Sequence, residues 1–386
     1  MADVMPSDGA ARTAPRGAAG RSTETGTVLS PRALNRALLE RQLLLRRQNL
    51  RVSDALEHLV GLQAQSPNSP YFALWSRLTD FHPDDLAEMI DRRLVVRIAL
   101  MRWTLHVVTA RDCLKLRPLA QPAMDQRLRA VFGSQLVGVD LERLVVLGRE
   151  LVEEQPRSLG DVGRLLATQW PAHEPSALGN ALAALAPLVQ VPPRGLWGRN
   201  GRAVQTTAER WLGRRLDAGG PPDELLLRYL AAFGPATIDD MRKWSGLRGL
   251  ACAIDRLRPR LRSFRDEHGH ELLDVLDGPL PDPATPAPPR FLPECDNAVL
   301  AHADRARIVS EQHRRLVTAH KTFLVDGFVR GTWKIIRGPD VATLAISSVV
   351  PIRGEDRLAL AEEGARLLAF FAQDADTRIS VRFAEE

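Results

Sequence analysis

The chain has 386 residues, of which 45% are hydrophobic and 26% are charged, and its net charge is +5 with a pI of about 9.5. This length provides for two or three domains and a large buried core. The sequence contains no apolar run near the roughly 18 residues that cross a bilayer, and residues 1–27 lack the apolar core of a secretory signal. We therefore expect a cytoplasmic protein with a disordered leader over residues 1–27.

The spacing of the cysteines and the number of basic residues bear on which ligands the protein can bind. Cys113, Cys252 and Cys295 lie far apart without a CxxC pair, which predicts neither a disulfide framework nor a zinc site. Only four of the 52 basic residues are lysines. The arginine guanidinium can bind phosphates through two hydrogen bonds and can stack on bases, but arginine enrichment also follows genome base composition. Charge alone therefore leaves nucleic-acid binding open.

A helix-rich segment followed by a hairpin opens the chain. Apolar residues at helical spacing predict four helices: 32–47, 53–62, 70–79 and 82–93. Ser30 is the predicted N-cap of the first. Two β-type runs over 94–109 follow, joined near Met101. Helices followed by a hairpin are typical of a winged helix, so residues 28–118 form the first predicted module.

The same pattern recurs twice. A second module over 119–215 ends on a strand at 188–192 and the turn GLWGRNGRA, and a third over 216–278 ends on strands at 261–266 and 270–277. The helices predicted in these two modules are 141–154, 158–170, 176–188, 223–233, 237–246 and 247–257. The spacing is too loose for a solenoid, so we expect three tandem winged helices that form a basic concave groove.

A change of composition marks the last part of the chain. The run GPLPDPATPAPP predicts a Pro-rich linker over 279–290. Beyond it, residues 291–386 predict a small β-barrel or sheet domain with one helix at 355–372. The complete chain is therefore expected to have an α+β fold.

Four motifs carry a family resemblance: GLQAQ at 61–65, RWTLHVVTARD at 102–112, FLPECDNAVLAHADRARI at 291–308 and VDGFVRGTWKI at 325–335. With them, nearly all of residues 28–384 resembles the AlkZ-type winged-helix DNA glycosylases, which implies excision of alkylated purines and unhooking of interstrand crosslinks. The family hallmark is Gln, an aliphatic residue, then Gln or Asp. Gln63–Ala64–Gln65 resembles the two-glutamine branch linked to self-resistance in producers of DNA-crosslinking natural products. Cys295 departs from the larger apolar residue expected there.

The resemblance makes Gln63 and Gln65 the candidate catalytic residues; without it, two glutamines at a helix end indicate only solvated polar residues. An N7-alkylated purine is cationic, so it leaves without a general acid. Each amide offers one acceptor and two donors, and two carbonyls could hold the attacking water and stabilise an oxocarbenium-like transition state. Residues two apart point about 200° from each other on a helix, so the helix must end before Gln63. Pro67 and Pro70 favour that early end.

Other polar residues are weaker candidates. His106, Asp296 and Asn297 are predicted to line the site, although a strand histidine such as His106 is by default satisfied within its sheet. The acidic residues near Asp296 match no metal-ligand spacing, so no metal and no cofactor is expected. None of the four lysines is near the motif in sequence, which argues against Schiff-base lyase chemistry.

Arginines in three clusters are the candidate DNA contacts. A crosslinked nucleotide cannot flip freely into a closed pocket, so an open groove with phosphate contacts is expected. We expect about a third of these arginines to touch phosphate. The candidates are Arg46, Arg47, Arg51, Arg92, Arg93, Arg97, Arg256, Arg258 and Arg262.

The sequence thus predicts a monomeric, monofunctional DNA glycosylase of the nucleoid. Its expected partner is double-stranded DNA carrying alkylated or crosslinked purines. The alternatives are a non-catalytic winged-helix regulator and an assembly scaffold. A regulator needs an exposed recognition helix, yet SALGNALAALAPL at 176–188 and LRGLACAIDRL at 247–257 are mostly small and apolar. The enzyme is therefore favoured.

Overall fold

The structure is a computed structural model that describes residues 27–372 and 376–384. Apart from Thr27, the predicted leader lies outside the described residues. Within the described part, no helix has the length and apolar character needed to cross a membrane.

The first predicted module begins as expected. Ser30 caps the first helix, since its hydroxyl accepts a hydrogen bond from the Ala33 N–H at 3.2 Å. The elements in chain order are β1 (Val28–Leu29), α1 (Pro31–Arg41), α2 (Val52–His58), β2 (Leu62–Gln63), α3 (Ser69–Trp75), α4 (Pro83–Asp91), β3 (Val95–Ala99) and β4 (Leu105–Thr109). The predicted helix over 53–62 is therefore too long, since residues 59–61 form a turn and Leu62 begins β2.

A 23-residue helix, α5 (Ala110–Phe132), follows β4 and is covered by no predicted helix. It contains Pro118 and Pro122, and prolines inside a helix normally interrupt the pattern. The second and third predicted modules then contain α6 (Leu141–Glu154), α7 (Leu159–Leu166), α8 (Pro175–Leu185), β5 (Leu188–Gln190), β6 (Gln205–Thr207), α9 (Ala208–Leu212), α10 (Asp223–Phe233), α11 (Ile238–Ser245), α12 (Ala251–Leu257), β7 (Leu261–Asp266) and β8 (Glu271–Val275).

The C-terminal part is mostly strand, as predicted. Its elements are β9 (Arg290–Leu292), α13 (Asn297–Leu300), α14 (Leu316–Ala319), β10 (Lys321–Val325), β11 (Phe328–Arg337), β12 (Val341–Ser348), α15 (Gly354–Phe371) and β13 (Asp376–Arg382). Their sheet has the order β13-β12-β11-β10-β9 and is open, because its two edge strands do not pair with each other. We call it the C-terminal sheet. The α+β class is confirmed, and the predicted β-barrel is wrong.

The hairpins of the first two predicted modules merge into one open sheet of order β2-β4-β3-β5-β6, which we call the motif sheet. Strands β3 and β5 join the hairpins through the pairs Arg97↔Gln190 and Ile98↔Val189. The third hairpin, β7–β8, forms a separate sheet with β1. The modules are thus not separate at the level of their sheets, and the winged-helix assignment and the basic groove remain predictions.

The Pro-rich segment 279–290 is fixed to helix α1. Arg41 donates to the Pro279 carbonyl at 3.0 Å, Arg32 to Pro283 at 2.8 Å and Arg36 to Thr285 at 2.6 Å. Three arginines on one helix therefore hold the segment along its length. The segment is therefore bound to the surface of α1.

Helix α8, which a regulator would use to read bases, faces the protein interior. Its Ala177, Leu178, Ala181 and Leu182 are buried, and it packs closely on α7. A Cβ at Gly163 of α7 would lie 2.0 Å from the Pro175 carbonyl oxygen, so only glycine permits this contact. Helix α12 of the third predicted module differs, because it buries Ala253, Ile254 and Leu257 but exposes its other face.

Candidate active site

The segment before the motif Gln63–Ala64–Gln65 leaves helix geometry early. Helix α2 ends with two bonds, from the Gly61 N–H to the Leu56 carbonyl at 2.8 Å and from the Val60 N–H to the Glu57 carbonyl at 3.3 Å. This is a Schellman ending, with Val60 at φ 56° and Gly61 at φ 82°. A Cβ at Gly61 would lie 2.5 Å from Val108 Cγ1. The helix therefore ends before Gln63, but Val60 and Gly61 end it rather than the predicted prolines.

Gln63 lies on β2, an edge strand of the motif sheet, and its side chain is only 8% exposed. Its Oε1 accepts a hydrogen bond from Arg102 Nη2 at 3.0 Å. Because a guanidinium only donates, this contact fixes which end of the amide is oxygen. The amide keeps one lone pair on Oε1 and its amino group for other partners.

Gln65 is exposed and is oriented in a different way. Its Oε1 accepts from the Leu105 backbone N–H at 3.0 Å, while the Ala64 N–H donates to the Leu105 carbonyl at 2.7 Å. A backbone N–H is also donor-only, so this amide orientation is fixed as well. Both glutamines thus leave β2 with their carbonyl oxygens held by donors on the β3–β4 hairpin.

Arg97 holds the backbone of the motif. Its Nε donates to the Ala64 carbonyl at 2.9 Å, its Nη2 to the Gln65 carbonyl at 3.0 Å and its Nη1 to Gln190 Oε1 at 2.6 Å. Arg97 is only 4% exposed, and this burial lowers its pKa to about 10. A buried side chain with these partners does not fit the predicted phosphate contact, so Arg97 is instead a positioning residue.

His106 is the strand partner of Gln63 in the antiparallel pair β2–β4. Side chains directly opposite in such a pair lie on the same face, with Cβ atoms about 5 Å apart. Its Nδ1 lies 2.8 Å from the Thr104 carbonyl, which can only accept, so Nδ1 carries the proton and Nε2 is left with a lone pair. Burial and the nearby Arg102 charge lower the pKa of His106 to about 3. The ring is therefore neutral at physiological pH.

Arg102 lies in the turn between β3 and β4 and connects the motif to α11. Besides Gln63 it donates to the Trp244 carbonyl at 2.5 Å. Burial, and then the charge of Arg305, lower its pKa to about 10. Its backbone has φ 57°, a left-handed conformation that costs a non-glycine residue about 1–2 kcal/mol. The sequence offered a signal, since Arg102 opens the motif RWTLHVVTARD, but its residue type alone does not indicate this role.

The two C-terminal candidates have different roles. Asp296 forms a fully buried ion pair with Arg77, with contacts of 2.7 and 2.9 Å, and caps α13. It does not face the motif, so its predicted site-lining role is not supported. Asn297 accepts from the Gln63 N–H at 3.2 Å and donates to the Gly61 carbonyl at 2.7 Å. It fastens β2 at its free edge.

Among the nine arginines predicted to contact DNA, Arg97 is one of three that are committed to the protein interior. Arg47 binds the buried Glu363 at 2.6 Å, and Arg262 binds the buried Asp274 at 2.8 Å. The interior contacts of these three residues argue against the phosphate contacts predicted for them.

The other six lie on the surface. Arg51, Arg256 and Arg258 each form a close ion pair, with Asp54, Asp223 and Glu271, and Arg46 lies 3.5 Å from Glu40. Arg92 and Arg93 are exposed and form no ion pair within the described residues. For these six the phosphate contact stays a prediction.

Metal chemistry finds no support around the motif. Within residues 27–372 and 376–384, no group of three or more His, Cys, Asp or Glu residues is placed to hold a metal ion. The arrangement consists of two oriented neutral amides, a neutral imidazole and two arginines that hold them. Such a set can bind a water and stabilise charge, but it contains no group that titrates near neutral pH.

Comparisons with known proteins show the class to which the chain belongs. The fold matches a solved structure, the DNA glycosylase AlkZ of Streptomyces sahachiroi, with a TM-score of 0.76 and 18% identity, over 92% of this chain and 100% of that one. A family model described as DNA glycosylase AlkZ-like matches residues 56–370. The chain therefore belongs to the AlkZ-like DNA glycosylase family, and it is an enzyme of that class. No curated protein matches its sequence.

Proposed function

We propose that the enzyme is a monofunctional glycosylase for bulky N7-alkylated purines in double-stranded DNA, including purines in interstrand crosslinks. The observation that carries this proposal is the orientation of both motif glutamines by donor-only partners at an edge strand of the motif sheet. Their remaining lone pairs can accept the hydrogens of one water. Such preorganised dipoles stabilise a developing positive charge without reorganisation.

The leaving group explains why neutral amides suffice. Alkylation at N7 gives the purine a formal positive charge, so the glycosidic bond breaks without protonation by the protein. The buried His106 is neutral and carries its proton on the Nδ1 that faces Thr104. The lone pair on Nε2 can therefore serve only as an acceptor in the reacting state. Attack of water at C1′ leaves an abasic site and the neutral alkylated base, and the proton lost by the water passes to solvent.

Access to the motif supports a bulky substrate. Gln65 is exposed, so a nucleotide tied to the opposite strand can approach it without entering a closed pocket. This openness favours the crosslink-unhooking reaction and a role in repair or in self-resistance to a DNA-alkylating natural product. We further propose that the enzyme acts as a monomer on chromosomal DNA in the cytoplasm.

The decisive experiment measures base release from a duplex with one defined N7-alkylguanine, and unhooking of a defined guanine–guanine crosslink. We expect Gln63→Ala and Gln65→Ala each to lower release by about 100-fold or more, as when one preorganised group is removed. Gln169→Ala is the matched control, because Gln169 is an exposed glutamine on the turn after α7. Equal release by the wild type and the three variants would contradict the catalytic role of the two glutamines. Tight sequence-specific binding of undamaged DNA would favour the regulator.

The monofunctional assignment has its own test. Among Lys115, Lys243, Lys321 and Lys334, burial lowers the pKa of Lys321, whose ammonium lies 4.8 Å from the Phe72 ring. A Schiff-base lysine needs a lowered pKa, so Lys321 is the lysine to test for lyase chemistry. We expect no borohydride-trapped adduct with DNA. An adduct that disappears in Lys321→Ala would show lyase chemistry instead.

A further inference from the structure

A second cluster of cations lies away from the motif. Arg92 and Arg93 follow α4, Arg210 belongs to α9, and Arg214 comes after it. These four residues, with Trp211 and Gly213, line an open cavity of about 390 Å³ that we call the arginine cavity. The cavity also touches Ala110, the first residue of α5.

All the charged residues that line the arginine cavity are arginines. No carboxylate is among its lining residues, and within the described part of the chain none of its four arginines forms an ion pair. Two acids are adjacent to these arginines in sequence: Glu209 is bound by Arg149 at 3.4 Å, and Asp91, the last residue of α4, is exposed but does not line the cavity. By contrast, exposed arginines such as Arg164 and Arg242 each bind a carboxylate one turn away, on Asp161 and Asp239.

The geometry holds this charge in place. The Arg93 guanidinium lies 4.1 Å from the centre of the Trp211 ring and donates to the Trp211 carbonyl at 3.1 Å. Arg93 also has φ 59° at the Schellman ending of α4, a position that glycine fills more easily. The C-terminal ends of α4 and α9 offset part of the repulsion between the arginines. A bound anion would relieve the rest of that repulsion.

We propose that the arginine cavity binds phosphate groups of the DNA backbone beside the lesion. The proposal rests on the proposed function, because the lesion-bearing duplex supplies the phosphates. Ala110 comes four positions after His106, the strand partner of Gln63, which is a span of about 13 Å at 3.3 Å per residue. One DNA strand carries a phosphate about every 3.4 Å along the helix axis. The distance from the motif to the cavity thus corresponds to about four base pairs of duplex.

The test compares two double variants that lose the same charge. Arg92→Gln with Arg214→Gln removes two arginines of the cavity, and Arg164→Gln with Arg242→Gln removes two arginines that already have carboxylate partners. Binding of an undamaged duplex is measured across salt concentrations. We expect the slope of log affinity against log salt to fall by about 2 in the first variant only, at roughly 0.9 per lost phosphate contact.

Each other result overturns the proposal. Equal changes in both double variants would show only a general effect of net charge. An unchanged slope with a lower melting temperature would show that the arginines only stabilise helix ends. Inorganic phosphate could stabilise the wild type but not the cavity variant, while the salt slopes of DNA binding stay equal. That result would show a site for free phosphate. Because binding of undamaged DNA is the readout, an enzyme that releases no base fails the proposed function and leaves this test intact.

Discussion

The two five-stranded sheets of the molecule have similar size and openness but bury different polar groups. Both bury apolar side chains, such as Phe291 and Trp333 in the C-terminal sheet and Val96 and Val108 in the motif sheet. The motif sheet also buries Gln63, Arg97 and His106. Burying polar groups costs free energy unless each is hydrogen-bonded, so the motif sheet gives up stability to hold these groups in place. The difference indicates that the C-terminal sheet mainly stabilises the chain, while the motif sheet also organises its chemistry.

The largest expected effect is on stability and lies in the C-terminal sheet. The Phe291 ring packs 5.7 Å from that of Trp333 and 6.2 Å from that of Phe323. We expect Phe291→Ala to lower the free energy of unfolding by about 3–5 kcal/mol, as large-to-small core changes do, measured by denaturant titration. Leu358→Ala, on the exposed side of α15, is the control and should change it by no more than about 0.5 kcal/mol. A mild effect at Phe291 would contradict this division of roles.

The next effect is on catalysis and lies in the motif sheet. Arg97→Gln releases the Ala64 and Gln65 carbonyls, so both amides lose their fixed position. We expect kcat to fall by up to about 100-fold, since a displacement near 1 Å costs that much. DNA affinity and its salt dependence should stay as in the wild type. If Arg97 contacted phosphate, the variant would instead show weaker binding and a smaller salt slope.

The contrast between the sheets also marks how far the sequence was informative. Alternating apolar runs indicated most strands, and Ser30 and the helical spacing indicated most helices, because these patterns are local. Helix α5 was hidden by Pro118 and Pro122, and the merging of two hairpins depends on the long-range pairing of β3 with β5. No local pattern encodes that pairing.

The candidate site divides in the same way. Gln63 and Gln65 followed from the motif, and the need for an early helix end followed from geometry. The residues that hold them did not, because Arg97 and Arg102 are indistinguishable in sequence from the many surface arginines. Their roles come from hydrogen bonds to the motif in the absence of a carboxylate partner, which only the folded chain displays.

A smaller effect is expected at Arg102, which orients Gln63 from outside the strand. Arg102→Gln removes the donor-only partner, so the Gln63 amide can turn over and present either end. We expect kcat to fall about tenfold, the value of one hydrogen bond from a charged group, with little change in KM. Arg102→Lys keeps a donor-only group and should recover part of the loss. Equal kinetics for both variants would show that Arg102 has only a structural role.

The smallest expected effect is that of pH on base release. Neither glutamine titrates, and the lowered pKa of His106, about 3, keeps its ring neutral in the assay range. With a cationic leaving group, kcat should therefore be flat between about pH 5.5 and 8.5. Gln65→Asp provides the comparison, because a carboxylate should add an acid limb near its usual pKa of about 4. A bell-shaped wild-type profile with a limb near pH 6.5 would make His106 an acid or base and contradict the two-amide mechanism.

Stability should depend on pH where the rate does not. His106 has a folded-state pKa of about 3 against an ordinary value of 6.5, so below pH 6.5 the unfolded chain binds a proton that the folded chain does not. The free energy of unfolding is therefore undiminished above pH 6.5 and falls as the pH drops towards 3, by at most about 1.4 kcal/mol per pH unit for this group. His106→Gln removes the titrating ring and should flatten that slope in chemical denaturation. A slope unchanged by His106→Gln would place the acid sensitivity elsewhere, with the buried His302 as the alternative, since burial also lowers its pKa to about 3.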